Sequence, residues 1–567
     1  MTAASNSPAP PLISKSLITV QLHQLDESPC QVGGMDEGDA SAPPPAPRLG
    51  VDETSSGLGQ MGQSGLDRDD GVGDVVQTLT VVGQESPHRG FRSQRLEELD
   101  EGSPDREHRL LHTLTGHQLP VERIDVVAGA IALDRLVEVV DRDGHVVEVD
   151  QLHQDEGIAS SGACHSATGT IGVVSNSVIT GIARTPIGRY GGALKPLRAV
   201  ELGGAAIASA VERSQSDPEV FDEVVFGHVL QAGEGQITSR QAAVRGGLPM
   251  TVPSVTVNKV CLSGMAAIGL ADRSVRLGES KFVMTGGMES MSNAPHVVRE
   301  LRWGVRIGDV AMVDIMQHDG LFCAFDNCTM GESSDQKNER LGIGRQEQDE
   351  WAARSHRLAE AAISNGQFAA EIAPVQVPQR KGDAITVTTD DGIRPGATIE
   401  SMAELRPAFT MTGTITAGNA SQISDGAAAV VVADREAAEA VGSPILAEIL
   451  AYGQVGGVDA TLHERPAEAL LIALKKAGLE PSDLDLVEIN EAFAAVALWS
   501  ARMLDIPEPK VNVNGGAVAL GHPLGATGAR LVVTLVNALR HRGGGIGAAA
   551  LCGGGGQGDA IVLRVDG

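Results

Sequence analysis

From about Val173 onward, short apolar runs alternate with segments of helical period, and the same alternation occurs twice along the chain. Strands that alternate with helices imply an α/β fold whose sheet is covered on both faces. In the first copy, SVITGIA (177–183), EVVFGHV (223–229), PSVTVN (253–258) and KFVMTGG (281–287) read as strands. Residues 198–214 and 263–277 read as helices. Later in the chain, GAAAVVVAD (426–434), PILAEILAYG (444–453), LDLVEIN (484–490), GIGAAALC (545–552) and DAIVLRV (559–565) read as strands. Residues 466–478, closed by Gly478 as a C-cap glycine, 491–504 and 525–542 read as helices. The pattern predicts two similar α/β halves. The first comprises 173–290 and 411–440, the second 441–567, with 291–410 as an insertion between them. Aromatic residues make up only 2% of the chain, so Ala, Val, Leu and Ile must fill the core.

Residues 1–172 have a different character. They open on PAPPL and APPPAPRLG and continue through a Gly/Asp/Gln-rich stretch to about Gly83. Few large apolar residues are present to offset chain entropy, which predicts a low-complexity, disordered extension. PVERIDVVAGAIALDRLVEVVDRDGHVVEVD (120–150) is its one apolar run, suited to a strand or a short helix. His108, His112 and His117 fall at helical spacing, but with no cysteine near them they read as solvated polar residues. The segment carries 28 acidic and 11 basic residues, a net charge of −17, against −12 for the remaining 395 residues. So acidic a chain is poorly suited to nucleic acid or an anionic membrane, because phosphate contacts need Lys and Arg. No apolar stretch approaches the roughly 20 residues of a membrane span. The N-terminus has neither a secretory signal nor an Arg-rich transit pattern, so a cytoplasmic setting is expected. The six cysteines, Cys30, Cys164, Cys261, Cys323, Cys328 and Cys552, form no C-x-x-C pair and do not read as a disulfide framework.

Four motifs carry the chemistry. In NKVCLSGM (258–265), Cys261 sits on the turn between a strand and a helix, near a helix N-terminus. That placement is expected to lower the thiol pKa and favour thiolate, a nucleophile. In NGGAVALGHPLGATGAR (514–530), glycines surround His522 and Pro523 follows it. The imidazole is thus displayed before a helix as a general base or oxyanion donor. In CGGGGQGD (552–559), Cys552 ends a strand and runs into four glycines. They make either a flexible turn or a second thiol beside backbone oxyanion donors. In NEAFAA (490–495), Asn490 and Glu491 follow a strand and open a helix, where an N-cap Asn with an acid in the first turn accounts for them locally.

Taken together, in order and spacing, these motifs resemble the thiolase family over residues 173–567. ARTPIGRYGGAL (183–194), GGMESMSNAP (286–295), LRPAFT (405–410) and TAGNASQISDGAAA (416–429) extend the match. GGMESMSNAP and the TAGNAS region resemble most the short-chain acetyl-CoA acetyltransferase branch. A broad-range 3-ketoacyl-CoA thiolase of fatty-acid β-oxidation and an inactive thiolase-like acyl-CoA binding protein are the alternatives. The resemblance implies a thiolase-like fold of two α/β halves in five layers, with 291–410 as a loop domain over the active site. It implies reversible Claisen condensation of two acetyl-CoA to acetoacetyl-CoA plus CoA, or thiolysis in reverse, through an acyl-cysteine on Cys261. His522 would activate that thiol, Cys552 would act as acid/base at the acetyl carbon, and Asn490 would hold an oxyanion water. The backbone N–H groups of Cys261 and Gly554 would form the second oxyanion site. Arg394, Ser421, Leu321, Met330, Thr329 and Phe493 would contact the CoA thioester. Family members often carry His or Asn where this chain has Thr329, whose reach is shorter. The resemblance further implies no required cofactor or metal, CoA thioesters as substrates, and a homodimer or homotetramer.

Overall fold

The computed structural model describes residues 176–567 and, ahead of them, five short strands. By compactness the chain divides into Met1–Ser166 and Ala167–Gly567. In the first unit, Ile18–Gln21, Thr78–Gln84 and Arg92–Glu98 form an antiparallel three-stranded sheet, and Val139–Val140 pairs with Val146–Val147. The rest of the reading of 1–172 lies outside the described residues, including His108, His112, His117, Cys30 and Cys164.

The second unit holds nine principal strands. They are β1 (Ser177–Arg184), β2 (Glu223–Gly227), β3 (Ser254–Val257), β4 (Phe282–Ser290), β5 (Ser424–Asp434), β6 (Ala447–Gly456), β7 (Leu486–Ile489), β8 (Gly545–Gly553) and β9 (Gln557–Val565). Each matches an apolar run of the sequence to within a few residues. The first half runs in the order β3-β2-β4-β5-β1 and the second in the order β7-β8-β9-β6. The halves meet where Ala447 and Glu448 of β6 pair with Ile179 and Val178 of β1. The second half repeats the first: β2–β4 and β7–β8 are parallel pairs, β4–β5 and β8–β9 antiparallel ones.

Helices α1 (Ala199–Ser214), α2 (Thr238–Arg245) and α3 (Ser263–Arg276) belong to the first half. Helices α4 (Met330–Leu341) and α5 (Arg345–Ser364) lie in the insertion. Helices α6 (Arg465–Ala477), α7 (Ala494–Met503) and α8 (Leu524–His541) belong to the second half. Helix α6 ends with Gly478 in the left-handed conformation, φ 70°, as its C-cap. Helix α7 starts at Ala494 with Phe493 as its N-cap residue. The expectation that Asn490 and Glu491 open this helix is therefore corrected: both precede it, held by tertiary hydrogen bonds described below.

Side-chain alternation along the strands builds the layers. In β5, Ala428, Val430 and Val432 face a central core, while Ala427, Ala429, Val431 and Ala433 face an outer one. In β9, Ile561, Leu563 and Val565 face the same central core, and Ala560 and Val562 a second outer one. Helices α3 and α8 fill the centre through Ile268, Ala271, Val275, Leu531, Val532 and Leu535. Helix α1 covers one outside with Val200, Ile207 and Val211, and α6 and α7 cover the other with Leu470, Leu474 and Leu498. The five layers are thus helix, sheet, paired helices, sheet and helix. Every residue of α8 from Leu524 to Leu539 is buried, as a helix between two sheets requires. Tyr452 is the single aromatic residue of the central core, so aliphatic packing carries it.

Candidate functional site

Helices α3 and α8 both begin at the same end of the central layer, and each brings a reactive side chain with it. Cys261 lies on the turn between β3 and α3. Val260, immediately before it, has φ 49°, a left-handed conformation that a β-branched residue adopts only under constraint. Such strain costs on the order of 1–3 kcal/mol and needs surrounding bonds to hold it. Asn258 Oδ1 accepts from the Val260 N–H at 3.0 Å. Ser263 Oγ accepts from the Lys259 N–H at 2.9 Å and donates to the Val260 carbonyl at 2.6 Å. Lys259 Nζ reaches Asp559 of β9 at 2.7 Å, tying this turn to the strand that follows the Cys552 loop.

Cys552 is buried in the last turnward residues of β8, beside Gly553 and the tight turn into β9. The two cysteine segments pack on one another. A Cβ on Gly553 would lie 2.5 Å from Leu262 Cγ, and one on Gly554 3.4 Å from Val260 Cγ1. Two backbone N–H groups, those of Cys261 and Gly554, stabilise negative charge on the Cys261 sulfur. Two N–H groups converging in this way suit a developing negative charge. Even so, burial dominates and pushes the Cys261 thiol up to about 12. This overturns the expectation of a depressed thiol pKa at a helix N-terminus: desolvation outweighs the helix terminus and both N–H groups. Burial, then the neighbouring Cys261, pushes the Cys552 thiol up as well.

His522 sits between the short helix Ala517–Leu520 and α8. Gly521 turns the chain here with φ 112°, a conformation that excludes side chains. The His522 N–H donates to the Gln422 carbonyl at 3.0 Å. Thr527 Oγ1 donates its proton to the Pro523 carbonyl at 2.8 Å, so at 2.7 Å from His522 Nδ1 it accepts. That fixes Nδ1 as the protonated nitrogen and leaves Nε2 with a bare lone pair. Nε2 has no hydrogen-bond partner among the described residues. Burial, and then Arg530, lowers the imidazole to about 3, so it is neutral at neutral pH. The resting site is thus a neutral thiol with a neutral base.

Asn490 directly follows β7, its N–H donating to the Ala550 carbonyl at 3.0 Å. It is fully buried, and neither end of its amide has a partner among the described residues. A buried amide with four free hydrogen-bonding positions suits a bound polar group. Beside it, Glu491 accepts from Trp351 Nε1 (2.9 Å), Ser355 Oγ (2.7 Å), Asn512 Nδ2 (2.9 Å) and the Val518 N–H (3.0 Å). The acid that resembled a helix-capping residue is a buried strut holding the segment that leads to His522.

Phe493 and Met330 join Cys552 in one apolar cluster with Ile415, Leu462 and Val496. Leu321 and Cys261 share another with Leu524, two residues beyond His522. Ser421 donates its N–H to the Ala492 carbonyl at 3.1 Å, beside Phe493. Thr329 is the N-cap of α4, its Oγ1 accepting from the Glu332 N–H at 3.2 Å. Arg394 is exposed, its guanidinium donating to the Ala417 carbonyl at 3.1 Å. Neither this bond nor the one its N–H donates to His356 Nδ1 reaches the cysteines. Two residues escaped the reading of the sequence. Thr527 was visible within GHPLGATG, where a hydroxyl one turn into the helix can meet the ring. Glu289 accepts from the N–H groups of Val229, Leu230 and Gly525 at 2.9–3.2 Å, and its anchoring of α8 had no local signal. Among the described residues no group of three or more His, Cys, Asp or Glu could hold a metal ion. No helix among them is long and apolar enough to cross a membrane.

The thiolase N-terminal domain family matches residues 177–436 and the thiolase C-terminal domain family residues 443–565. A probable acetyl-CoA acetyltransferase of Mycobacterium leprae is 51% identical over 391 residues, 69% of this chain and 100% of that protein. An acetyl-CoA acetyltransferase of Thiocystis violacea is 47% identical over 387 residues, 68% of this chain and 98% of the relative. The crystal structure of the Bacillus anthracis acetyl-CoA acetyltransferase superposes with a TM-score of 0.67 at 40% identity, covering 69% of this chain and 99% of that one. Two repeated α/β halves, a shared helical centre and these end-to-end matches lead to one conclusion: the chain belongs to the thiolase family.

Proposed function

We propose that this chain is an acetyl-CoA acetyltransferase that joins two acetyl-CoA into acetoacetyl-CoA and CoA, and runs the thiolysis in reverse. The observation that carries the reading is a Cys261 sulfur with two backbone N–H donors and a second buried thiol beside it, and an imidazole with a free Nε2 at the start of the helix packed against its own. The relatives' names agree with it. Cys261 Sγ attacks the thioester carbonyl as Nε2 of His522 takes its proton. The N–H groups of Cys261 and Gly554 receive the carbonyl oxygen as it becomes an oxyanion, and Cys552 gives its proton to the departing CoA thiolate while His522 keeps the one from Cys261 until the end of the cycle. Cys552 then removes a proton from the methyl group of the second acetyl-CoA. The enolate oxygen is met by a water on Asn490 and by Nε2 of His522 when that atom carries a proton. The carbanion attacks the acyl carbon on Cys261, giving acetoacetyl-CoA and restoring the thiol.

In this reading residues 291–410 cover the site, with Leu321, Met330, Thr329 and Phe493 against the thioester and Arg394 and Ser421 along the CoA. No cofactor or metal is required, the setting is cytoplasmic, and the enzyme assembles as a homodimer or homotetramer. The test is CoA-dependent thiolysis of acetoacetyl-CoA and of a long-chain 3-ketoacyl-CoA, by wild type and Cys261→Ala. Activity on acetoacetyl-CoA alone, lost in the variant, is expected. Activity on both substrates would make the enzyme a broad-range thiolase of fatty-acid degradation. A folded protein that binds CoA and cleaves neither would be a binding protein instead.

A further inference from the structure

Phe322–Cys323 and Cys328–Thr329 pair antiparallel, with Phe322 opposite Thr329 and Cys323 opposite Cys328. Residues directly opposite on such a pair present their side chains to the same face, with Cα atoms about 4.5–5.5 Å apart. Disulfides span Cα separations of roughly 4.4–6.8 Å, so the two cysteines need little adjustment to join. Both are free thiols. Cys323 is buried and Cys328 partly exposed, which makes Cys328 the sulfur that solvent reaches and Cys323 the one that resolves. The acyl chemistry above uses neither.

The hairpin stands against the reaction centre. Phe325, in its connecting loop, lies over the glycine turn after Cys552: a Cβ on Gly555 would be 3.2 Å from Phe325 Cε2. The preceding residue, Gly554, supplies the N–H on the Cys261 sulfur. Asp326 donates its N–H to Cys323 Sγ at 3.4 Å and accepts from Ser333 Oγ of α4 at 3.0 Å. Leu321 and Thr329, both proposed to meet the thioester, flank the pair.

We propose that Cys323 and Cys328 form a reversible cross-strand disulfide by exchange with a small-molecule disulfide, and that the closed hairpin binds CoA thioesters more weakly. The second half of this statement rests on the thioester reading of the site; the first does not. The Cys328 thiolate attacks one sulfur of the oxidant, whose S–S bond breaks and releases one thiol. The Cys323 thiolate attacks the Cys328 sulfur of the mixed disulfide, forming the new bond and releasing the second thiol. The two protein protons end on the two released thiols, and the oxidant gains the two electrons the pair loses. Burial, then the charges of Glu332 and Asp326, keeps the Cys328 thiol above its ordinary value. Exchange is therefore slow at neutral pH, and the pair follows a sustained redox poise. The new bond holds the hairpin in one geometry and takes from Leu321 and Thr329, on either side, the freedom to settle around a thioester.

The experiment equilibrates the full-length protein in buffers of graded glutathione disulfide-to-thiol ratio, alkylates free thiols, and maps peptides without reduction. The peptide holding Cys323 and Cys328 is expected to lose both alkyl groups together as the ratio rises, leaving a mass two hydrogens below that of the free dithiol, and to regain them after dithiothreitol. Over the same range KM for acetoacetyl-CoA rises several-fold while kcat changes far less. Cys328→Ser and Cys323→Ser each keep the reduced-state KM throughout. Oxidation at Cys261 or Cys552 appears in other peptides and lowers kcat in all three proteins alike. Full alkylation of both cysteines at every ratio would overturn the proposal and leave the thioester reading standing. A disulfide that forms without separating the wild-type KM from the variants' would overturn its regulatory half. Absence of thiolysis in the reduced wild type would instead defeat the thioester reading, with the peptide map still deciding the pair.

Discussion

A thiol held near 12 is a weak nucleophile until its proton has somewhere to go, and in the proposed mechanism it goes to His522. The neutral imidazole of His522, lowered to about 3, stays unprotonated across the neutral range and keeps Nε2 as an acceptor. Below 12 the Cys261 thiolate fraction grows with pH without levelling off. Alkylation of the Cys261 peptide by iodoacetamide in the free enzyme is therefore expected to accelerate about tenfold per pH unit across the neutral and mildly alkaline range. A plateau near neutrality would mean that a thiolate–imidazolium pair is already formed at rest. Thr527 is a positioning residue: its hydroxyl accepts from Nδ1 and so keeps the proton off Nε2. Thr527→Ala removes that partner from a buried ring, a loss of about 1–3 kcal/mol. That corresponds to roughly 5- to 150-fold in kcat. Thr527→Ser should recover most of it, and an unchanged kcat in the alanine variant would refute the tautomer assignment.

At the scale of the element, the proposed mechanism needs α3 and α8 to approach closely. A Cβ on Gly264 would lie 2.9 Å from the Gly525 carbonyl oxygen and 3.0 Å from Ala529 N, and one on Gly528 would press on the Met265 backbone. Both helices begin within two residues of a reactive group, so separating them moves Cys261 away from His522. Gly528→Ala is expected to cost about 1–3 kcal/mol of stability through overpacking. It should also lower kcat beyond what that loss explains at temperatures where the protein remains folded, measured by thermal unfolding beside thiolysis. A stable variant with wild-type kcat would show that the helices' spacing is not what sets the geometry. The helices and strands themselves were legible because their patterns are local: the alternation in GAAAVVVAD and the helical period of 525–542 each need only a dozen residues. The start of α7 was not, because Glu491 is held by Trp351 and Ser355 from α5 and by Asn512, partners 140, 136 and 21 residues distant. The Cys261 thiol was misread for the same reason: the burial that raises it is built by the tertiary fold, while the sequence showed only its own helix terminus.

For the whole molecule, the question is which part of the chain is the enzyme. Among the described residues, every member of the apolar clusters lies between Val178 and Val565, and the two thiolase domain families match 177–436 and 443–565. The motifs made this boundary legible, since nothing before Val173 repeats the α/β rhythm. They could not say what 1–172 contributes, because an acidic, proline-rich composition states only what it fails to bury. Its charge of −17 out of −29 is a solubility argument rather than a fold argument. A chain beginning at Val173 is therefore expected to fold, to keep the kcat/KM of the full-length protein for acetoacetyl-CoA thiolysis, and to bind less tightly to an anion exchanger. Matching circular dichroism with a lower kcat/KM would place part of the extension's contribution at the active site. Equal kcat/KM with aggregation at rising protein concentration would assign the extension to keeping a less charged α/β body in solution.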